Sequence, residues 1–373
     1  MTIDQLPTPF YIVYEEKLRK NLSLISKVAE QSGASIIMAF KANALWKSFP
    51  IVKEYCRNFT ASSLNELRLG SEELGGEAHS YTPAYTDENI DEFIAKSTHI
   101  TFNSLSQFNR FGKKAIAAGV SCGLRVNPKC SVIDTDIYNP ALPGSRFGVA
   151  AEDLKDGVPQ GIDGLHFHAL CESSSYDLEK VLTAFENQFA HILPHIKWVN
   201  MGGGHLMTRE GYDCNHLVSV IKSFRQRHPN LRVILEPGSA FTWRTGDLVA
   251  SVVDIVENDG IKTAILDVSF ACHMPDTLEM PYMPIVTESS ANGIAYRLGG
   301  NSCLSGDFKD HWYFQKPLDI GSKITLEDMN HYTTVKTTMF NGIQHPDIVL
   351  CHSDGECEYL RKFNYQDYKN RMS

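Results

Sequence analysis

The chain has 373 residues, of which 43% are hydrophobic and 21% are charged, and its formal net charge is −9. This length is typical of two domains, and the composition is that of a globular protein without a transmembrane helix. The acidic balance argues against nucleic acid or an anionic membrane as a partner. The start of the chain lacks a secretory signal pattern, and the nine cysteines lack CxxC spacing. We therefore expect a cytoplasmic protein with reduced thiols.

Strand and helix patterns alternate over the first two thirds of the chain. A strand is predicted over Thr8–Tyr14 and an amphipathic helix over Glu15–Gln31. Further strand-like runs lie near 35–40, 58–62, 77–82, 98–102, 121–127, 162–168, 197–201 and 231–236. Helical patterns lie between most of them, for example at 63–74, 104–118, 177–193 and 211–228. These repeats predict an α/β fold, a (β/α)8 TIM-type barrel over residues 15–240.

The pattern changes after about residue 240. Strand-like runs follow without regular helices between them, at Leu248–Val253, Thr263–Leu266, Ile294–Leu298 and Tyr332–Val335. We expect a C-terminal β-sandwich or barrel-like domain, formed by residues 241–373 together with residues 1–14.

A lysine ends the first barrel strand. The apolar run Ser35–Phe40 is typical of a buried parallel strand, and Lys41 follows it directly. In α/β barrels the chemistry sits at the carboxyl ends of the strands. Lys41 is therefore either an ordinary cation reaching solvent or a desolvated amine for covalent chemistry, and this stretch alone favours the first.

Two histidines end the sixth strand-like run. His166 and His168 are two residues apart, so strand geometry places both imidazoles on one face. At the barrel mouth an imidazole stacks on a planar ring or binds a metal. No carboxylates stand at a spacing typical of metal sites, so we expect no metal. A buried core histidine is the alternative for His166.

The next two strand ends carry glycines and a carboxylate. Met201-Gly202-Gly203-Gly204-His205 follows the seventh run, and its amides are suited to a phosphate; a flexible connection is the alternative. Glu236-Pro237-Gly238 ends the eighth run and offers a carboxylate and an unobstructed amide. An ordinary turn with a solvated glutamate is the alternative there.

One loop of the second domain presents a thiol and a carboxylate. Cys303-Leu304-Ser305-Gly306-Asp307 follows Gly299-Gly300-Asn301, so glycines flank the cysteine on both sides. Most isolated cysteines are inert packing residues, and this loop alone does not predict catalysis.

Taken in order, these motifs resemble the fold-type III pyridoxal-phosphate decarboxylases, which include the ornithine and diaminopimelate decarboxylases and share their barrel with alanine racemase. The motifs are Lys41, His168, Gly202–Gly204, Glu236-Pro237-Gly238, Cys303 with Asp307, and Tyr332 before Phe340-Asn341-Gly342. Other stretches resemble the carboxynorspermidine/carboxyspermidine decarboxylase branch, namely Gly75–Tyr81, His166–Glu172, Trp198–His205 and His273–Asp276. The resemblance implies decarboxylation of carboxynorspermidine or carboxyspermidine, in polyamine biosynthesis, with pyridoxal 5'-phosphate as cofactor.

The resemblance also implies a role for each site residue. Lys41 would hold the cofactor covalently, His168 would stack on its ring, and Glu236 would pair with the ring nitrogen and lie beside the substrate. The phosphate would be held by the amides of Gly203, Gly204 and Gly238 and the hydroxyl of Tyr332. Cys303 would donate a proton to the product carbon, and Asp276 and Asp307 would bind the distal amines of the substrate. The active unit would be a homodimer with shared sites, because in the family the cysteine loop enters from the neighbouring subunit.

Three departures from the ornithine type argue against ornithine specificity, whereas the stretches named above favour the polyamine branch. Cys171 stands where those enzymes carry a phosphate-binding serine, and Ser239 stands where they carry an arginine. Phe59-Thr60-Ala61-Ser62 lacks the aspartate that they place near the lysine. The alternatives are a decarboxylase of diaminopimelate, ornithine or lysine, a non-catalytic binding protein, and a single-barrel pyridoxal-phosphate carrier. The sequence does not separate the two triamine substrates, since one methylene is worth only about 1–3 kcal/mol.

Overall fold

The computed structural model describes residues 1–280 and 282–373. The chain divides into two compact units. The barrel unit comprises Lys20–Phe241, and the sheet unit comprises Met1–Arg19 and Thr242–Ser373. Within the described residues, no helix combines the length and the apolar composition needed to cross a membrane.

The strands are numbered in chain order. They are β1 (Phe10–Tyr14), β2 (Ser35–Ile36), β3 (Met38–Ala39), β4 (Phe59–Ala61), β5 (Ala78–Tyr81), β6 (His99–Phe102), β7 (Ser121–Arg125), β8 (Ile162–His166), β9 (Trp198–Asn200), β10 (Arg232–Leu235), β11 (Gly246–Asn258), β12 (Ile261–Leu266), β13 (Ile294–Gly299), β14 (Phe308–Phe314), β15 (Lys323–Leu326), β16 (Asp347–Cys351) and β17 (Cys357–Arg361).

The α-helices are α1 (Glu15–Ser32), α2 (Phe49–Lys53), α3 (Leu64–Glu73), α4 (Ile90–Lys96), α5 (Leu105–Ala117), α6 (Ser175–Phe189), α7 (Cys214–Arg227), α8 (Ser239–Thr242), α9 (Phe270–His273), α10 (Asp276–Glu279) and α11 (Tyr365–Met372). Short 3-10 turns lie at Ile3–Gln5, Trp46–Ser48, Asp136–Tyr138, Ala151–Leu154, Leu193–His195, Thr333–Val335 and Phe340–Gly342.

The barrel unit is a nine-stranded parallel sheet in the order β2-β10-β9-β8-β7-β6-β5-β4-β3. The two end strands of this sheet, β2 and β3, are consecutive in the chain and come from one predicted strand. β2 pairs with β10, and β3 pairs with β4. Ile37, between the halves, donates its N–H to Leu235 O, and Met38 donates to Asn58 O. The predicted strand at 35–40 is therefore interrupted at Ile37. Because its first half pairs with β10 and its second half pairs with β4, the sheet is nearly closed. The predicted α/β barrel is confirmed.

Side-chain caps start outer helices of the barrel unit. Ser104 Oγ accepts from Gln107 N at the start of α5, and Asp213 Oδ1 accepts from His216 N at the start of α7. At α6, Ser174 and Asp177 form a reciprocal capping box. These caps fix the residue at which each of these helices begins.

The sheet unit is built around the first strand of the chain. Its eight-stranded sheet has the order β14-β13-β12-β11-β1-β16-β17, with β15 paired to β11. Strand β1 runs antiparallel to β11 and parallel to β16, and Phe10, Ile12 and Val13 are at most 1% exposed. A strand buried on both faces needs a continuous apolar run, which explains its composition. The predicted β-rich second domain is confirmed.

One predicted strand of this unit is wrong. Tyr332–Val335 forms a turn, with Tyr332 at φ +53° and a 3-10 turn over Thr333–Val335. The β-branched residues suggested a strand, but a left-handed tyrosine breaks an extended run.

Candidate active site

Lys41 lies at the carboxyl end of β3 with its amine close to an imidazole. Its Nζ is 3.5 Å from His168 Nε2, and its neighbours Phe40 and Ala42 are fully buried. Burial lowers the pKa of Lys41, and the Arg125 guanidinium lowers that pKa further. Both effects increase the fraction of neutral amine, which is the form that attacks a carbonyl carbon. The desolvated amine is therefore the interpretation that the geometry favours.

A backbone amide sets the orientation and tautomer of His168. Gly203 N donates a hydrogen bond to His168 Nδ1 at 2.9 Å, so Nδ1 carries no proton. Burial, then the charges of Lys41 and Arg125, hold the pKa of His168 well below its usual range. The ring is therefore neutral and carries its proton on Nε2, which faces the lysine amine.

The glycine loop is pressed against two neighbouring strand ends. A Cβ on Gly203 would lie 2.5 Å from Glu236 O, and one on Gly204 would lie 2.4 Å from Leu170 C. Gly202 and Gly204 also have φ of +69° and +87°, which favour glycine. This loop is a close-packed part of the site, which argues against a flexible connection.

The predicted phosphate amides are not equivalent. Gly203 N is already used by His168, whereas the amides of Gly204 and Gly238 donate to no acceptor among the described residues. A Cβ on Gly238 would lie 2.6 Å from Ala42 Cβ, so only glycine allows this approach to the lysine loop. Gly204 and Gly238 are the better candidates for an anion.

Glu236 is buried at 8% exposure, so the alternative of a solvated turn glutamate is wrong. Its Oε1 accepts from Asn200 Nδ2 at 2.6 Å, and its Oε2 lies 3.8 Å from His166 Nε2. Its own N–H donates to Gly202 O at 2.7 Å. The carboxylate and the glycine loop are thus held together by backbone and side chain.

His166 is a core residue of the barrel, as the plain alternative predicted. It is 2% exposed, packs edge-on against Tyr81 at 5.4 Å between ring centroids, and neither ring nitrogen has a hydrogen-bond partner among the described residues. Burial, then the charges of Arg125 and Lys41, hold its pKa well below its usual range. Among those residues no three His, Cys, Asp or Glu side chains form a group suited to a metal.

Sequence reasoning missed Arg125, at the end of β7. It is 4% exposed, its guanidinium lies 4.6 Å from the Tyr81 ring centroid and 4.3 Å from that of Phe147, and its NH2 is 3.4 Å from His168 O. Its only signal in the sequence is an arginine closing an otherwise apolar strand. Glu66, on α3, was missed as well; burial raises its pKa, and Lys41 is among the charges that act on it.

The Cys303 loop of the sheet unit is organised by Asp307 and Asn341. Asp307 is 4% exposed; its Oδ1 accepts from Ala271 N at 2.9 Å, and its Oδ2 accepts from Ser302 N and Oγ at 3.2 and 2.6 Å. Cys303 is exposed and donates its N–H to Asn341 Oδ1 at 2.8 Å. The hydrogen bonds of Asp307 therefore go to the loop itself and to the backbone of α9.

Asp276 pairs with a cation of its own unit. Its carboxylate contacts the Lys336 ammonium, which also lies 3.1 Å from Glu279 Oε2. An internal ammonium thus stands where the sequence predicted an amine of the substrate.

Comparisons with known proteins decide the family. Residues 11–330 match the family model described as pyridoxal-dependent decarboxylase, C-terminal sheet domain. The chain belongs to the pyridoxal-dependent decarboxylases. The resemblance inferred from the motifs is confirmed, and so is its enzyme class, a decarboxylase.

Relatives within the family are similar over their whole length. A carboxyaminopropylagmatine decarboxylase of Synechocystis sp. is 45% identical over 99% of this chain and 96% of its own. A carboxynorspermidine/carboxyspermidine decarboxylase of Campylobacter jejuni is 42% identical over 100% of both chains. The crystal structure of carboxynorspermidine decarboxylase complexed with norspermidine, from Campylobacter jejuni, has a TM-score of 0.91 and 42% identity, covering 98% of this chain and 100% of that chain.

Proposed function

We propose that this chain decarboxylates carboxynorspermidine or carboxyspermidine, forming norspermidine or spermidine in polyamine biosynthesis. The observation that carries the proposal is that half-buried Lys41 and His168 lie together at the barrel's strand ends, where Glu236 is buried, in a chain 42% identical to a relative named for this reaction. Carboxyaminopropylagmatine is a second candidate substrate, because the Synechocystis relative of that name is 45% identical. All three names describe a carboxylated, extended polycation.

The chemistry of the barrel residues fits pyridoxal 5'-phosphate. Lys41 offers an amine of lowered pKa for its aldehyde carbon, and Glu236 offers a carboxylate for its ring nitrogen. The amides of Gly204 and Gly238 offer donors to the phosphate. Tyr332 is proposed as a further phosphate ligand, as the family resemblance implies. When bound, this cofactor supplies an electron sink for the pair left by departing CO2.

The chain's own residues then control charge and protons. Glu236 would hold a proton on the ring nitrogen of the cofactor. His168, which is neutral and oriented by Gly203 N, would stack on its ring. We propose Cys303 as donor of the proton to the product carbon, since thiols ordinarily carry their proton at neutral pH. The hydrogen bonds of Asp307 support a role in shaping the Cys303 loop rather than contact with an amine.

Asp276 is proposed as an amine ligand in competition with Lys336. Together with Glu279 it offers two carboxylates to an ammonium, and Lys336 already occupies both. A buried ammonium needs such partners, because its desolvation is otherwise costly.

We further propose a homodimer, in the cytoplasm, in which Cys303 of one protomer serves Lys41 of its partner. Mixing inactive Lys41→Ala with Cys303→Ala protomers tests this. If sites are shared, random heterodimers carry one intact site and restore about a quarter of wild-type activity. No gain above the residual activity of Cys303→Ala contradicts shared sites.

The decisive test of the function is product analysis with the purified, cofactor-loaded protein. Carboxynorspermidine, carboxyspermidine, carboxyaminopropylagmatine, meso-diaminopimelate, L-ornithine and L-lysine are offered side by side, and CO2 and amine products are measured. We expect turnover of carboxylated polyamines alone, lost in Lys41→Ala. Turnover of a simple diamino acid would contradict the substrate assignment, and cofactor binding without any turnover would support a binding protein.

A further inference from the structure

Asn200 occupies a buried position between the glycine loop and the Glu236 carboxylate. It is the last residue of β9 and is 2% exposed. Its Oδ1 accepts from Gly202 N at 2.9 Å, and its Nδ2 donates to Glu236 Oε1 at 2.6 Å. That is the one hydrogen bond which the described residues donate to this carboxylate.

The orientation of the Asn200 amide is determined by its neighbours. A backbone N–H only donates, so Gly202 must face the carbonyl oxygen of the side chain and Glu236 must face its NH2 group. An NH2 group only donates, so Glu236 Oε1 must be an acceptor. The 2.7 Å hydrogen bond from Glu236 N to Gly202 O fixes the distance between the glycine loop and the Glu236 backbone. Asn200 therefore holds Oε1 as a hydrogen-bond acceptor.

Titratable groups on several strands surround Glu236. Lys41 after β3 and Arg125 on β7 are groups whose cationic forms Glu236 stabilises. His166 on β8 faces Oε2 with a neutral ring, because burial lowers its pKa. Burial raises the pKa of the Tyr81 phenol, on β5, and the charge of Glu236 acts in the same direction.

We propose that Asn200 is a positioning residue that holds Glu236 Oε1 as a hydrogen-bond acceptor and fixes the direction of this carboxylate, so that it can hold a proton on the ring nitrogen of the cofactor. The inference rests on the proposed function for the role of Glu236. It adds a residue that touches neither substrate nor cofactor and acts through one donated hydrogen bond.

The substitution Asn200→Asp tests the inference with almost no change of shape. In the aspartate, Oδ1 still accepts from Gly202 N. The second carboxylate oxygen, which replaces the NH2 group, faces Glu236 Oε1. Two carboxylates at this distance must share a proton, which raises the pKa of the pair. At about pH 8 we expect kcat to fall about 10- to 100-fold, as for outer partners that orient metal ligands, with KM little changed. At about pH 6 the shared proton should restore part of the loss.

Stability of the cofactor-free protein is a readout independent of turnover. A carboxyl pKa raised by folding means that the folded state binds more protons, so stability falls as pH rises through the raised value. The urea midpoint of Asn200→Asp should therefore drop more at about pH 8 than at about pH 6. The double variant Asn200→Asp/Glu236→Gln restores a donor–acceptor pair with reversed polarity. It should recover the midpoint at both pH values and remain inactive.

Asn58→Asp is the matched control, because Asn58 Oδ1 also accepts a backbone N–H, from Glu77 at 3.0 Å, near the opposite ends of the strands. We expect it to show neither the pH-dependent loss of kcat nor that of stability. A pH-independent effect of Asn200→Asp, or one equal to that of Asn58→Asp, would overturn the inference. Absence of turnover in the wild type would instead refute the proposed function and leave the stability test standing.

Discussion

At the scale of single residues, the reactivity of Lys41 comes from its surroundings. Burial lowers its pKa first, and the neighbouring Arg125 guanidinium adds to this, while Glu236 acts in the opposite direction. A lysine with an ordinary pKa is almost entirely protonated at neutral pH and attacks an aldehyde slowly. The positive charge of Arg125 therefore increases the fraction of Lys41 that carries a neutral amine.

Arg125→Met should raise the pKa of Lys41 in the cofactor-free protein, because it removes the charge and keeps much of the side-chain volume. The uptake of pyridoxal phosphate by the apoprotein is followed by visible absorption at a series of pH values. Its rate should then reach a plateau at a higher pH than in the wild type. Arg125→Lys keeps a positive charge and is the control. Identical pH dependences for the two variants would show that the charge does not act on Lys41.

The sequence predicted Lys41, His168 and Glu236 as site residues because each lies at or just after the end of a recognisable strand. Arg125 and Asn200 escaped for a different reason. Their roles depend on which strands are neighbours, and the hydrogen bond between Asn200 and Glu236 joins two ends that no local pattern links.

At the scale of elements, hydrogen bonds hold the loop that carries the Cys303 thiol in a defined conformation. Asp307 accepts hydrogen bonds from Ser302 and Ala271, and Asn341 accepts from the Cys303 N–H with its own backbone at φ +58°. The family resemblance implied that Asp307 is an amine ligand. Its burial depends on the fold around it.

Asp307→Asn should loosen this loop, since an amide group cannot accept on both sides. Losing an acceptor for a buried donor costs about 1–3 kcal/mol. If Cys303 is the proton donor, more turnovers should end with the coenzyme aminated and inactive, as they should in Cys303→Ala. Asp310→Asn, on the exposed partner of Arg297, is the control. If the fraction of turnovers that end with aminated coenzyme is the same in Asp307→Asn and Asp310→Asn, then Asp307 has no part in proton delivery.

Element boundaries in the barrel unit could be predicted well because parallel strands buried on both faces give continuous apolar runs. The failures are local backbone events. The interruption at Ile37 and the left-handed Tyr332 are set by how the sheet closes and how the chain turns, and neither leaves a compositional trace.

At the scale of the whole molecule, β1 sits in the middle of the sheet unit's core. Ile12 is 1% exposed and belongs to an apolar cluster whose other buried members are Leu6, Phe10, Val249, Val349 and Cys357. The cluster joins parts of the chain that are far apart in sequence. Its integrity therefore decides whether the unit is folded at all.

Ile12→Ala should lower the free energy of unfolding by about 2–5 kcal/mol, as for other truncations in a packed core. Ile320→Ala removes the same atoms from a side chain that is 71% exposed, and should change stability by at most about 0.5 kcal/mol. Urea unfolding of both variants checks this. Similar losses in the two would contradict a core built on β1.

The central place of β1 also has a consequence for synthesis on the ribosome. Its first partner, β11, follows roughly 230 residues later, which takes roughly 10 to 50 s at about 5–20 residues per second. Through that interval the apolar segment Phe10–Val13 has emerged without either neighbour, while all of residues 20–241 become available to fold. Low-temperature expression or added chaperones should therefore raise the yield of this chain more than in a protein whose central strand is made last.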